Sequence, residues 1–207
     1  MSVNLQKGQK VDLTKGNAGL KKIVVGLGWD PAQPAKSGFF GSLFGGQTQD
    51  VDVDAAAILC GAGGKLLGGQ AGKLTGDVVF FNNLTHKSGC VKHMGDNLTG
   101  GGDGDDEQII VDLYGLPKQY EKIVFVVNIY QARERNQHFG MIKNAFIRIF
   151  NAENNKELCK FNLSENYDRM TAMIFGEVYR HQGEWKFNAV GQGTTDPGIT
   201  ATANRYV

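Results

Sequence analysis

Two acidic segments carry the residue types best suited to chemistry. In Asp50-Val51-Asp52-Val53-Asp54, the two-residue period of a strand sends the three carboxylates to one face and both valines to the other. Their Cβ atoms then stand roughly 7 Å apart, so the row repels itself unless a cation lies against it. Carboxylate and carbonyl oxygens are the donors taken by a hard divalent ion such as Ca2+. The second segment, GDNLTGGGDGDDEQ from Gly95 to Gln108, sets Asp96, Asp103, Asp105, Asp106 and Glu107 among five glycines. Between His93 and Pro117 there is no Lys or Arg, while six acids, Asp112 included, occupy that window. Glycines that reach φ > 0 let such a loop turn its carbonyls inward, as a six- to eight-oxygen calcium shell demands.

Neither segment follows a standard calcium loop. Asp96 to Glu107 has the length and end residues of an EF-hand loop, but its third and fifth positions are Leu98 and Gly100, and its flanks read as strands rather than helices. The Gly101 to Asp106 run matches one copy of a calcium β-roll repeat, which needs stacked copies. The bland alternative is a solvated acidic turn. His86 and His93 lie nearby and read as surface residues beside a turn, so acid/base or metal-assisted catalysis has little support and a non-enzymatic protein is expected. Gly68 to Leu74 resembles a phosphate loop but has Leu74 where Ser or Thr must hold magnesium, and reads as a hairpin turn. Arg133, Arg135, Lys143 and Arg148 form a modest basic group, read as a salt-bridge surface or a protein-docking face.

The elements that must position these residues are strands. Nine runs of strand length, rich in Val, Ile and Phe, fall at 22–27, 51–59, 77–81, 108–113, 122–130, 144–150, 157–163, 173–179 and 184–190, with turn-forming clusters between them. No sustained helical periodicity interrupts them. The pattern predicts a mainly all-β, antiparallel two-sheet β-sandwich with few short helices, one of them at 197–206 with Asp196 as its N-cap. Residues 32–49, with Phe39, Phe40, Leu43 and Phe44 among glycines and serines, read as a flexible insertion loop within a single domain spanning 1–207.

Composition sets wider bounds. A net charge of +1, from 22 basic and 21 acidic residues, leaves no global electrostatic footprint for nucleic acid. The N-terminus lacks the apolar core of a secretory signal and no stretch has the length of a membrane span, which predicts a cytoplasmic location. Cys60, Cys90 and Cys159 are odd in number and lack CxxC spacing, as expected of reduced, buried thiols.

The motifs Gly26-Leu27-Gly28-Trp29-Asp30, Asp52-Val53-Asp54-Ala55, Phe80-Phe81-Asn82-Asn83, His93 to Gly100, Gly102 to Glu107, Asn144 to Arg148 and Gly183 to Phe187 occur in an order that resembles the TerD family of bacterial tellurium-resistance and general-stress proteins. The resemblance implies a calcium-binding β-sandwich with a role in resistance to tellurite and other stresses, and partners among other proteins of that response. By motif match, Asp52, Asp54, Asp96, Asn97, Asp103, Asp105, Asp106 and Glu107 are the implied ligands of one or two Ca2+ ions, with Asp30, Asn82 and Asn83 as a second tier. Asn82 and Asn83 are equally plausible as turn residues. An alternative function is calcium-dependent recruitment to the membrane periphery through insertion of Phe39 to Phe44. Oligomeric state is left open.

Overall fold

All nine of those segments form strands in a computed structural model, which describes residues 2–31, 51–95 and 104–207, and three short strands join them. In chain order they are β1 (Val3–Leu5), β2 (Lys10–Asp12), β3 (Lys22–Pro31), β4 (Val53–Cys60), β5 (Val78–Val79), β6 (Val91–His93), β7 (Glu107–Asp112), β8 (Lys122–Ile129), β9 (Ile142–Asn151), β10 (Glu157–Asn162), β11 (Ala172–His181) and β12 (Glu184–Thr194). They make two six-stranded sheets. Sheet A has the order β1-β10-β9-β3-β7-β6, and sheet B the order β2-β12-β11-β8-β4-β5. Pairing is antiparallel except for β1, which runs parallel to β10 at the edge of sheet A.

Alternation along the strands builds the layer between the sheets. In β7, Glu107, Ile109 and Val111 are buried while Gln108, Ile110 and Asp112 are half-buried on the outer face. Facing them from sheet B are Val53, Ala55, Ala57 and Leu59 of β4 and Phe125 and Val127 of β8, within one continuous core. The other face of sheet B is also covered. Ala56, Ile58, Val124, Val126 and Ile174 pack in a second cluster with Leu66, Val78 and Ala203, so β4 is apolar on both sides and its sequence runs AAAILC without alternation.

Two local expectations change. The C-terminal helix, α1, spans Ile199–Ala203 and continues as a 3-10 turn over Asn204–Tyr206, and its N-cap is Gly198 rather than Asp196. Asp196 instead accepts hydrogen bonds from Thr194 Oγ1 at 2.8 Å and from Arg205 Nε at 2.6 Å, tying the segment ahead of the helix to its end. Strand β4 begins at Val53, so Asp52 precedes the strand and Asp50 lies outside the described residues. The β11–β12 hairpin turns on Gln182 and Gly183, both at positive φ (53° and 83°), the two-residue turn whose twist suits a hairpin.

Strand directions bring the acidic residues to one end of the sandwich. Leu27 of β3 pairs with Glu107 at the start of β7, Pro31 pairs with Ile142 at the start of β9, and Val53 at the start of β4 pairs with Ile129 at the end of β8.

Candidate metal centre

At that end the described acidic residues take distinct positions. Asp105 lies on the outer face of sheet A, over Gly26. A Cβ on Gly26 would stand 2.2 Å from Asp105 Oδ2, so only glycine lets the carboxylate lie against the strand. There Oδ1 accepts from Arg148 Nε at 2.6 Å and Oδ2 from Gln108 Nε2 at 2.9 Å, and the side chain is fully covered. The like-charge problem of the acidic segment is therefore met in part by an arginine 43 residues away in sequence. Arg148 also reaches Glu157 at 3.7 Å and stacks against the Phe146 and Phe150 rings.

Asp106 is 7% exposed and its Oδ2 accepts the Trp29 N–H at 2.7 Å. Burial raises its carboxyl above the ordinary carboxylate range; the Trp29 N–H pulls the other way, and the charges of Asp30 and Asp105 push it further up. Asp30 is exposed at the end of β3 and accepts from Asn144 Nδ2 at 2.7 Å. The Gly104 carbonyl is 3.0 Å from where a Cβ on Gly28 would stand, so this turn packs directly on β3.

Glu107 points the other way, between the sheets. Its Oε2 accepts from Ala55 N of sheet B at 2.7 Å and from His93 Nε2 at 3.0 Å, while the His93 nitrogen also approaches the Ala55 carbonyl at 3.2 Å. Gly95 N donates to His93 Nδ1, which fixes the tautomer with its proton on Nε2. Glu107 and His93 thus join the two sheets. His93 is 4% exposed, and His86 1%, correcting the expectation that both are surface residues.

Asp52 and Asp54 lie at the same end but on the opposite side. Strand parity places Asp54 on the outer face of sheet B with Ala56 and Ile58, whereas Asp105 is on the outer face of sheet A. Asp52 pairs with Arg135 at 3.8 Å, and its carbonyl accepts from Tyr130 N. Among the described residues, no group of three or more His, Cys, Asp or Glu converges as a metal would require. Asp96, Asn97 and Asp103 lie outside the described residues, as does the Phe39 to Phe44 segment. Asn83 closes a turn by donating to the Val78 carbonyl at 2.7 Å, and Asn82 is exposed beside it.

Sequence reading missed a second polar cluster toward the other end. Asp77, 1% exposed, accepts on one oxygen from the Tyr120 hydroxyl at 2.7 Å, His86 Nε2 at 2.9 Å and Lys87 Nζ at 2.9 Å. Burial would raise its carboxyl, but these hydrogen bonds outweigh burial and hold it below the ordinary range. No motif flags a contact between residues 77 and 120; a histidine and a lysine following a strand give no such signal. Cys60 and Cys159 are buried in strands and Cys90 is half-buried in a turn, all three as free thiols.

The model of the TerD domain matches residues 1–206. Stress response protein SCP2 of Bacillus subtilis (strain 168) is 47% identical over 209 residues, covering 100% of both chains. Tellurium resistance protein TerD of Serratia marcescens is 46% identical over 206 residues, covering 100% of this chain and 97% of its own. The crystal structure of SAV2460, a protein of unknown function, has a TM-score of 0.66 at 24% identity, covers 89% of this chain and 95% of its own, and supports the fold alone.

Proposed function

This chain belongs to the TerD domain family, and on that premise we propose that it is a non-enzymatic stress-response protein, acting in resistance to tellurium compounds and other stresses, that binds calcium at the junction of β3 and the acidic loop. The observation that supports the calcium reading is the placement of Asp106 against β3, with Asp30 and Asp105 near enough for their charges to act on its carboxyl. Hard oxygen donors of this kind fit Ca2+.

The residues divide the task. Asp105 is already held by Arg148 and Gln108, and Glu107 is spent on the inter-sheet contact, so both act as supports. Asp106, oriented through Oδ2 by the Trp29 N–H, and Asp30 would hold the ion, with Asp96, Asn97 and Asp103 as the remaining ligands. A bound Ca2+ would cancel the repulsion among these carboxylates and tie the loop to β3. Because tellurite is an anion and an acidic site repels it, the role in resistance is indirect, through an ordered loop surface that engages other proteins of the stress response.

Calorimetric titration of chelator-stripped protein with calcium, with magnesium as competitor, tests the reading. Saturable binding that Asp106→Asn removes supports it; no heat and no calcium-dependent rise in melting temperature would leave the loop a solvated turn.

A further inference from the structure

A cavity of about 670 Å3 opens on the outer face of sheet A, where the end of β3, the start of β9 and the end of β10 meet the segment that follows β10. Its walls include Asp30, Phe146, Arg148, Lys160, Asn162 and Ser164. Strand register explains why these residues meet. Phe146 pairs with Asn162 and Arg148 with Lys160 across β9 and β10, so the period of two puts all four on one face. The Phe146 ring lies over β3, since a Cβ on Gly28 would stand 2.4 Å from its Cζ.

Two cations therefore stand side by side in this wall, and like charges directly opposite one another on neighbouring strands repel. Arg148 is relieved by Asp105 at Nε and by Glu157 at 3.7 Å from Nη1, which leaves its Nη2 without a hydrogen bond among the described residues. Lys160 is half-buried and makes no ion pair among the described residues. Its Nζ lies 4.0 Å from the centre of the Phe146 ring, a contact with a ring face that leaves ammonium donors unused. Asn162 and Ser164, both exposed, add an amide and a hydroxyl. Among the described lining residues Asp30 is the one carboxylate, and it accepts from Asn144 Nδ2 at 2.7 Å.

We propose that this cavity binds a phosphomonoester, with its phosphate between Lys160 and Arg148 Nη2 and a small hydroxylated body against Asn162 and Ser164. The oxygens of one phosphate reach donors that are a single strand spacing apart, and its negative charge ends the repulsion between them. The cavity has the size of a small-molecule site, more than phosphate alone fills, and the amide and hydroxyl beside the cations suit hydroxyl groups on the ester. The site adjoins the proposed calcium centre at Asp30 and does not require the ion.

The test is an amide 1H–15N NMR titration of the full chain, at constant ionic strength and with chelator present, using glycerol 3-phosphate, inorganic phosphate and glycerol as probes. Saturable shifts at Arg148, Lys160 and Asn162 are expected with the ester, weaker binding with inorganic phosphate and none with glycerol. Lys160→Gln is expected to weaken the ester about tenfold, the scale of a charge-assisted hydrogen bond, and Asp30→Asn to tighten it about threefold, the scale of an exposed charge pair. Lys143→Gln removes a charge from an exposed position of β9 outside the lining and is expected to leave binding unchanged. Absence of saturable shifts with the ester, or equal weakening by Lys160→Gln and Lys143→Gln, would overturn the site. Inorganic phosphate binding as tightly as the ester would overturn the organic body. Calcium is absent throughout, so failure here is distinct from failure of the calcium reading.

Discussion

Asp106 carries the main consequence at the scale of single residues. A carboxyl whose folded pKa is raised binds its proton more tightly in the folded state, so its contribution to stability is fully present below the unfolded pKa and is lost as pH rises through the folded one. At neutral pH the ionised group therefore opposes folding. Asp106→Asn keeps an oxygen to accept the Trp29 N–H and removes the charge. It is expected to raise the melting temperature in chelator while losing the additional rise that calcium gives the parent protein, and thermal unfolding with and without calcium checks both. Gly26 acts by its absence of a side chain: Gly26→Ala would force the Asp105 carboxylate off β3 and strain its bond to Arg148. A loss of about 1–3 kcal/mol in urea unfolding is expected, the scale of overpacking a tight site.

At the scale of elements, the Glu107 carboxylate joins β7 to β4 across the sandwich. Glu107→Ala leaves the Ala55 N–H without its acceptor and His93 Nε2 with only the Ala55 carbonyl, and is expected to cost about 2 kcal/mol, with faster hydrogen exchange at Ala55, whereas Glu107→Gln retains an acceptor and most of the stability. The Asp77 cluster does similar work for the long connection between β4 and β6, binding it to Tyr120 just ahead of β8. Here the pKa is lowered, so the sign reverses: its stabilisation is present above the unfolded carboxylate pKa of about 3.9 and is lost as pH falls through the depressed folded value. Asp77→Asn is expected to lower stability at neutral pH and to flatten the acid limb of a stability-against-pH curve; an unchanged limb would remove Asp77 as its cause.

At the scale of the molecule, both sheets present strand ends and their loops at one end, with the proposed calcium centre on the outer face of sheet A. Among the described residues no helix is long and apolar enough to cross a membrane. If calcium orders the acidic loop, it stabilises the fold by mass action, and the melting temperature of the chelator-stripped protein is expected to climb with the logarithm of calcium concentration above its Kd. Scanning calorimetry across a calcium series checks this, and Asp30→Asn is expected to weaken the dependence without abolishing the fold, since Asp30 is exposed.

The sequence by itself determined the strands and the sandwich, because alternation of Val, Ile and Phe is a local, two-residue signal that burial between sheets requires. It also determined the family, through ordered motifs whose glycines make room for particular neighbours, as Gly26 does for Asp105. Tertiary structure alone decided what each carboxylate does. Sequence distance made the acidic loop look unneutralised, but pairing of β9 beside β3 brings Arg148 to Asp105, and because β7 begins only at Glu107 the irregular backbone ahead of it lets Asp105 face out while Glu107 faces in. The buried Asp77 cluster and the Asn128–Thr202 hydrogen bond were equally illegible, because each depends on residues tens of positions apart whose proximity is set by sheet order and helix docking rather than by any local pattern.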